Sequence, residues 1–555
     1  MSTKQNLSPI EKIKMQSRGL RGTLAESLED PQTGAIREDD QALIKFHGTY
    51  QQDDRDRREE RSEKKLENLY TFMIRLRIPG GFLTGDQWVA ANHIAGEYST
   101  GIIKITTRQT IQLHGVFKKD LKPTLKDFNK IHLDSIAACG DVNRNVLCSS
   151  NPKQSPLHEQ VHAYAAKISE FLLPKSKAYY EIWLDEEKIA EQSEEDPLYQ
   201  DRYLPRKFKI AIAIPPNNDV DVFANDIGLI AIIEDNKLKG FNIAIGGGLS
   251  TTHGNPATYA RLATVIGFSD TDEKTFKAIY ETVTIQRDYG NRSDRKQARL
   301  KYTIDKLGID KFKEELEKRC GFALAPAKKY TFTERMDYYG WQKDYQGKWH
   351  FTLFVENGRV TDNEQTAIKT ALFKIAETGK CNFRFTCNQH VIISDIDAVN
   401  KVQIDALIKE FHLEEHNNNA SLLRKNSMAC TALPTCPLAL AEGQRYFPTL
   451  ISKIETLITK YQLTEESIIT RMTGCPNGCA RPYIAEIGFV GTAPGKYNLH
   501  LGGDHVGTRL NKTYKSNMDE TAILHELNIL FKLFKDEKTV GEKFGDFIMR
   551  KKLIA

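Results

Sequence analysis

Long apolar runs are missing from this chain of 555 residues. No uncharged apolar stretch reaches about 18 residues, the shortest run that reads as a membrane-spanning helix. The first residues, MSTKQNLSPIEKIKM, also lack the apolar centre of a secretory signal peptide. We therefore expect a cytoplasmic protein with no membrane partner.

A strong excess of charge is also missing. The 78 Lys and Arg residues nearly balance the 73 Asp and Glu residues and leave a formal net charge of +5. Nucleic-acid binding requires a concentrated basic face, so no nucleic-acid partner is expected. No G-x-G-x-x-G motif opens a βαβ unit, and this excludes the usual dinucleotide site on this chain.

Cysteine is sparse and odd in number, with nine residues spread over the chain. A small secreted disulfide protein has a dense and even set instead, so we expect reduced thiols or metal ligands. The composition, 40% hydrophobic and 27% charged, is that of an ordinary globular protein, and the length predicts several domains.

The chain contains an internal duplication. HFTLFVENGRVT, near residue 350, resembles IRLRIPGGFLT, and NFRFTCNQHVIIS resembles IIKITTRQTIQLH. KGFNIAIGGG (239–248) likewise parallels GKYNLHLGGD (495–504), and ANDIGLIAI (224–232) parallels IAEIGFVG (484–491). Each half therefore carries a small unit followed by a larger one, and GDQWVAANHIAGEY is predicted to be a helix of the first small unit.

The two copies differ in chemistry. Arg75 aligns with Thr352 and Arg108 with Asn388, while RKFK (206–209) in the first half has its counterpart region at TGCPNGC (473–479) in the second. One half supplies cations and the other supplies thiols. A pseudo-twofold fold would place one functional site between the halves, with a metal centre on one side and an anion pocket on the other.

Four cysteines form the strongest motif. Cys430, Cys436, Cys475 and Cys479 follow the spacing C-x5-C-x38-C-x3-C. Zinc sites prefer C-x2-4-C pairs, so the spacing favours an iron–sulfur cluster over zinc or over buried free thiols. The glycines and proline around Cys475 and Cys479 favour a tight turn that exposes backbone N–H groups to the cluster.

Almost the whole chain resembles the sirohaem nitrite and sulfite reductase family, most specifically its sulfite reductase haemoproteins. The marks are the four-cysteine pattern with RNVLCSSNP, LPRKFK, GGGLS and TGCPNGC. The resemblance implies a [4Fe–4S] cluster on the four cysteines, with Cys479 also binding the sirohaem iron. It implies six-electron reduction of sulfite to sulfide, for cysteine biosynthesis.

The resemblance also assigns the cationic residues. It places sulfite against Arg75, Arg144, Lys207 and Lys209, which are predicted to be catalytic, and it places the sirohaem carboxylates against Arg108, Gln112 and His114. Lys207 and Lys209 are predicted to share one face of a strand, as are Arg108, Gln112 and His114. Lys104 departs from the family pattern, because an arginine is expected there.

The expected fold is α+β, with internally duplicated, pseudo-twofold mixed α/β domains and both cofactors between them. The predicted units are an N-terminal arm (1–65), a first ferredoxin-like half-domain (66–145), a sirohaem and substrate domain (146–345), a second half-domain (346–420) and a cluster and sirohaem domain (421–555). The arm includes the mixed-charge run of residues 50–65, interpreted as a solvated helix or as an arm that reaches a partner.

The resemblance also bears on the electron donor. FHGTYQQDDRDRR is similar to the segment by which NADPH-type haemoproteins meet a separate FAD and FMN flavoprotein, and Lys209 stands where nitrite enzymes tend to have asparagine. A ferredoxin-dependent sulfite or nitrite reductase is the alternative within the family. A non-catalytic iron–sulfur electron carrier is the alternative from another class, but it leaves the cations unexplained.

Overall fold

The computed structural model describes residues 7–151, 155–186, 196–364 and 366–554, so the first six residues of the predicted arm lie outside it. The strands in chain order are β1 (Thr49–Asp53), β2 (Tyr70–Arg75), β3 (Phe82–Thr84), β4 (Ile103–Ile105), β5 (Ile111–Val116), β6 (Leu147–Cys148), β7 (Ile210–Ala213), β8 (Ile227–Glu234), β9 (Lys237–Ile245), β10 (Thr264–Ser269), β11 (Gly340–Lys343), β12 (Trp349–Leu353), β13 (Arg359–Val360), β14 (Asn382–Phe385), β15 (Val391–Ile396), β16 (Ser427–Ala429), β17 (Thr470–Thr473), β18 (Ile487–Ala493), β19 (Lys496–Leu501) and β20 (Lys512–Met518).

Helices cover and connect these strands. They are α1 (Pro9–Gln16), α2 (Leu24–Glu29), α3 (Glu38–Leu43), α4 (Arg58–Glu63), α5 (Gly85–Tyr98), α6 (Leu121–Lys130), α7 (Pro156–Phe171), α8 (Ala178–Trp183), α9 (Asp272–Tyr289), α10 (Leu300–Leu307), α11 (Ile309–Cys320), α12 (Ile368–Glu377), α13 (Lys401–Glu410), α14 (Leu413–Asn419), α15 (Leu422–Lys425), α16 (Phe447–Lys460), α17 (Glu520–Glu537) and α18 (Phe544–Arg550). None of the described helices has the length and apolar character needed to cross a bilayer.

The sheets confirm the duplication. Two have the orders β10-β9-β8-β7-β6 and β16-β17-β18-β19-β20, and in each a parallel trio is extended by antiparallel hairpins. Two smaller sheets have the orders β1-β2-β5-β4-β13 and β11-β12-β15-β14-β3. The fold is therefore the predicted duplicated α+β arrangement.

The two small sheets exchange edge strands. Strand β3 of the first copy pairs with β14 of the second, and β13 of the second copy pairs with β4 of the first. Trp88, on the buried face of α5, stacks on Phe383 of β14 at 5.0 Å between ring centroids. This exchange ties the copies together, and no feature of either repeat predicts it.

Helix α5 spans the same fourteen residues that the sequence pattern predicts. It begins with a capping box, because the Thr84 hydroxyl accepts from the Gln87 N–H (3.2 Å) while the Gln87 side chain accepts from the Thr84 N–H (3.1 Å). Such a cap contributes roughly 1 kcal/mol to helix stability. The helix therefore has a defined start beside β3, where the two copies meet.

Buried apolar residues form two large clusters. One extends from Leu20 to Leu413 and unites the small sheets with the β6–β10 sheet. The other extends from Leu423 to Ile548 and lies around the β16–β20 sheet. The cysteine-bearing unit thus has a core of its own, and the polar site lies where it meets the rest of the chain.

Candidate functional site

Parallel strands bring the two cysteine pairs to one edge of the second large sheet. Strands β16 and β17 run parallel from Ser427 beside Thr470 to Ala429 beside Met472, so their carboxyl ends meet. Cys430 follows β16 directly, and its N–H donates to the Met472 carbonyl (3.2 Å). The N–H groups of Leu440 and Ala441 both donate to the Gly474 carbonyl (2.7 and 3.0 Å). The loops of the two pairs are therefore hydrogen-bonded to each other.

The four predicted cluster cysteines lie within electrostatic reach of one another. The pKa values of Cys430, Cys436 and Cys475 are all raised, first by burial and next by the Cys479 thiolate, and that of Cys475 rises to about 12. Four thiolates this close would repel one another, and bound iron would offset that repulsion in a cluster. The structure brings the four predicted ligands together.

The sulfurs also receive N–H donors, as the glycine-rich turn predicts. The Gly474 N–H donates to Cys430 Sγ (3.4 Å), and the Asn477 side-chain amide donates to Cys475 Sγ (3.5 Å). Among the described residues, no three His, Cys, Asp or Glu side chains are grouped around a position for a single metal ion. Four thiolates that each bind a different iron stand further apart than four on one zinc ion, so this donor set fits a cluster better than zinc.

A cavity opens beside Cys479, between the two copies. Cys479 is exposed, and its carbonyl accepts from the Thr107 hydroxyl of the first copy (3.0 Å). The cavity is lined by Thr107, Arg108, Leu147, Lys207, Lys209, Ala224, Asn225, Leu249, Ser250, Arg299, Asn477, Gly478, Cys479 and Arg481. A thiol and several cations therefore face one space, as the asymmetry of the repeats predicts.

Lys207 and Lys209 reach this cavity from the extended segment that leads into β7. The predicted strand begins only at Ile210, but Phe208 forms a bridge with Asn143, and this keeps the segment extended. Phe208 is buried on one side, so the two lysines share the other. The two lysines therefore share one face, as predicted, but they lie just before the strand rather than on it.

Lys207 and Lys209 are buried among other basic side chains. The pKa of each ammonium is lowered well below its usual range, first by burial and next by neighbouring cations: Arg206 for Lys207, and Lys207 for Lys209. Among the described residues, neither lysine side chain has a hydrogen-bond or carboxylate partner that would offset these neighbouring cations. A site that concentrates positive charge in this way favours a bound anion.

Arg108 lines the same cavity but does not lie on a strand. Strand β5 begins at Ile111, so the prediction that Arg108 shares a strand face with Gln112 and His114 is wrong. Arg108 lies in the β4–β5 turn, where its Nη1 donates to Asn225 Oδ1 (3.1 Å) and its Nε is buried without a partner. Burial lowers the pKa of Arg108 to about 9, and its unpartnered Nε is a buried donor available to an anionic group.

Gln112 and His114 lie on β5, away from the residues that line this cavity. The Gln112 amide oxygen accepts from Arg75 Nε (2.8 Å) when the amide is oriented toward the guanidinium. His114 Nδ1 is 3.0 Å from Gln52 Oε1, while its buried Nε2 has no partner. Burial, followed by nearby Lys104, lowers the pKa of His114 to about 3, so the imidazole is neutral.

Arg75 and Arg144 form a second cationic pair that does not line the cavity. Arg75 Nη1 donates to the buried Cys139 Sγ (3.0 Å), and Arg144 donates from Nε and Nη2 to the Gly140 carbonyl (3.1 and 3.0 Å). Arg144 also contributes to the low pKa of Lys207, so Arg144 lies close to that lysine. The four predicted substrate cations thus divide into two lysines at the cavity and two arginines behind it.

Arg299 and Arg481 are cavity residues that the sequence interpretation missed. Arg299 donates to Asp226 from Nη2 (2.7 Å). Arg481 donates from Nε to Asp221 (2.5 Å) and from Nη1 to the Thr107 carbonyl (3.0 Å). No motif marks Arg299, but Arg481 lies two residues beyond Cys479, and that proximity is a usable signal.

The ion pair of Asp221 with Arg481 joins equivalent positions of the two copies. PNNDVDVFANDIG (216–228) aligns without gaps with PNGCARPYIAEIG (476–488), so Asp221 is the counterpart of Arg481, and both have positive φ (48° and 56°). The pseudo-twofold axis therefore passes between them. In the same alignment Asp219 replaces Cys479, so the counterpart of TGCPNGC (473–479) is residues 213–219, and the prediction that RKFK (206–209) is its counterpart is wrong.

Lys104 lies near the cysteines rather than in the cavity. Its Nζ donates to the Asn357 carbonyl, and burial lowers its pKa to about 7 while the Cys430 thiolate opposes that shift. The residue that departs from the family pattern therefore bonds protein backbone in the second copy.

The mixed-charge run also belongs to the fold, because it forms β1, a short 3₁₀ turn (Arg55–Arg57) and the solvated helix α4.

Two family models match the chain. The model described as "Nitrite/Sulfite reductase ferredoxin-like half domain" matches residues 64–131 and 342–411, and the one described as "Nitrite and sulphite reductase 4Fe-4S domain" matches residues 164–324. The half-domain matches fall on the two small units of the duplication. The second model matches the copy that carries the lysines rather than the one that carries the four cysteines.

Full-length relatives are similar to the chain throughout. It is 60% identical over 541 residues, 97% of each chain, to the "Sulfite reductase [NADPH] hemoprotein beta-component" of Leptospira biflexa. It is 52% identical over 547 residues to the protein of the same name from Geobacillus thermodenitrificans, covering 98% of this chain and 95% of that one. The solved structure of the NirA protein of Mycobacterium tuberculosis has the same fold, with a TM-score of 0.79, 24% identity and coverage of 98% and 97%.

Proposed function

We propose, because the chain belongs to the nitrite and sulfite reductase family, that it is the haemoprotein component of an assimilatory sulfite reductase, which reduces sulfite to sulfide by six electrons. It is an oxidoreductase whose cofactors are sirohaem and a [4Fe–4S] cluster. The observation that carries the proposal is the position of Lys207 and Lys209 in the cavity beside Cys479. Buried basic side chains next to a metal-binding thiol suit the reduction of a small oxyanion.

The donor set fits both cofactors. Cys430, Cys436, Cys475 and Cys479 would hold the cluster, Cys479 would also bind the sirohaem iron, and Arg108, with its buried unpartnered Nε, would meet a sirohaem carboxylate. We keep Gln112 and His114 as proposed carboxylate contacts, because His114 Nε2 is also buried without a partner. The coupled cofactors would supply electrons along a short path through one sulfur.

The lysines bind the anion and supply protons. Sulfite loses its oxygens as water, so each step consumes protons as well as electrons. Burial and neighbouring cations depress the pKa values of Lys207 and Lys209, whereas a bound anion would favour their charged form, so each lysine could take up a proton with the anion and then transfer it. Arg75 and Arg144, held behind the lysines, add fixed positive charge and complete the proposed catalytic set.

The electron source belongs to another chain in this proposal. The names of the relatives include NADPH and a beta component, and this chain lacks the G-x-G-x-x-G dinucleotide motif. We propose that a separate NADPH-dependent FAD and FMN flavoprotein delivers the electrons in the cytoplasm. The sulfide produced would serve cysteine biosynthesis.

Metal analysis tests the cofactor set. The purified holoprotein is expected to contain about five irons and four acid-labile sulfides per chain, because a sirohaem adds one iron to a four-iron cluster. Its visible spectrum should show sirohaem bands in addition to broad iron–sulfur absorption. Bound zinc without labile sulfide would contradict the assignment, and a cluster without sirohaem bands would favour an electron carrier.

A further inference from the structure

The mixed-charge run holds the loop that carries Cys436. Arg55 donates from Nη1 to the Ala439 carbonyl (2.9 Å) and from Nη2 to the Cys436 carbonyl (2.9 Å). Its Nε is buried without a partner, so the guanidinium is set into the loop rather than extended into solvent. One planar group thus fixes the distance between two carbonyls of the cysteine loop.

A second contact joins the same two segments. Asp56 forms an ion pair with Arg445, which also pairs with Glu442 near the end of the cysteine loop. The run is in turn anchored to the first copy, because β1 pairs with β2 along its full length. The mixed-charge run is therefore fixed to the first copy at one end and attached to the cysteine loop further along.

The neighbouring arginines behave differently. Arg57 pairs with Glu60 on the solvent side, and Arg58 pairs with Asp53 within the arm. Neither bonds the cysteine loop. Arg55 and Arg57 therefore have the same charge and lie in the same 3₁₀ turn (Arg55–Arg57), but they differ in this one contact.

We propose that Arg55 is a positioning residue for the iron–sulfur cluster, holding the Cys436 loop in its ligating form and placing a fixed positive charge beside the cluster. The inference rests on the proposed ligation of the cluster by Cys436. Hydrogen bonds from a charged donor are stronger than neutral ones, so the loop is held firmly although it has little regular structure. Positive charge near a cluster favours its reduced, more negative state.

The experiment compares Arg55→Gln, Arg55→Lys and Arg57→Gln holoproteins with the wild type. Iron and labile sulfide are measured first, and thermal unfolding confirms that each variant is folded. The rate of iron loss to a chelator and the midpoint potential of the cluster, followed by electron paramagnetic resonance, are then determined. Arg57→Gln removes the same charge two residues away and serves as the matched control.

We expect Arg55→Gln to lose cluster iron about tenfold faster than Arg57→Gln. At a fixed applied potential, the ratio of reduced to oxidised cluster should fall about threefold in Arg55→Gln, a shift of about 28 mV for a one-electron couple at 59 mV per tenfold change. Arg55→Lys should restore the midpoint potential of the cluster but only part of its iron retention, because one ammonium does not span both loop carbonyls.

Equal iron loss and equal potentials in Arg55→Gln and Arg57→Gln would overturn the inference. A faster loss with an unchanged potential would restrict Arg55 to a structural role and would also overturn the proposed charge effect. A wild-type protein without labile sulfide would instead contradict the proposed function, so the two failures are distinguishable.

Discussion

The Cys479→Ser protein is expected to lose sulfite reduction by at least about 10³-fold, a loss of about 4 kcal/mol of transition-state stabilisation. Cys479 is the exposed cysteine of the cavity, and after burial its proximity is the next cause of the raised pKa values of the three other cluster cysteines. A serine hydroxyl is a poor ligand for cluster iron, so the cluster should be absent or disordered. Iron analysis, the visible spectrum and activity with reduced methyl viologen measure these effects.

Cys148→Ser is the matched control, because Cys148 is a buried thiol of the first copy that lies one residue before Ser149, the counterpart of Cys430. Cys148 is buried at the end of β6, and burial raises its pKa well above the usual range, so it is a neutral thiol. In the first copy, Asp219 also stands where the second copy has Cys479. The sirohaem and iron–sulfur absorption bands should be nearly unchanged in Cys148→Ser. Equal damage from the two substitutions would show that the ligand set is misassigned.

The second large effect is expected from Lys209→Asn, which should weaken sulfite reduction at least about tenfold more than nitrite reduction. Sulfite is partly a dianion at neutral pH, whereas nitrite is a monoanion with fewer oxygens to neutralise and protonate. At an effective dielectric constant near 20, a charge about 4 Å from the anion contributes about 4 kcal/mol before desolvation. If half of this Coulomb energy remains after desolvation, removing the charge costs about 2 kcal/mol, or about 30-fold in rate.

Steady-state kinetics with both anions and reduced methyl viologen tests this prediction without partner docking. Lys237→Asn removes an equal charge from the exposed start of β9 and should change neither activity. Sirohaem content should remain at the wild-type level in both variants. If both activities fell by one factor in Lys209→Asn with sirohaem retained, Lys209 would not discriminate between the two anions.

Local repetition made much of the fold predictable. Strands β8, β9, β18 and β19 lie where the paired motifs place them, and α5 begins and ends at the predicted residues. Such patterns record side-chain periodicity, which is a local property. The spacing of the four cysteines similarly predicts a ligand set, because the loop lengths limit which thiols can lie close together.

The directions of long polar side chains were less predictable. Arg108 continues a strand-like pattern but lies in a turn, and Arg75 meets Cys139 and Gln112 instead of the cavity. Arg299 reaches its site from a segment without a motif, and Arg55 lies in FHGTYQQDDRDRR, which did not indicate a contact with the cysteine loop. Their positions depend on tertiary contacts between distant parts of the chain, and one sequence does not encode such contacts as a periodic signal.

The exchanged edge strands have a consequence for how the chain is assembled. Leu83 of β3 pairs with Phe383 of β14, so the small sheet of the second half is incomplete until a segment from early in the chain returns to it. Pairings between such distant residues cost loop-closure entropy before they add stability, which slows folding. During synthesis, β3 must wait unpaired for most of translation, and a fragment that ends between the halves would expose β4 as an open edge prone to aggregation.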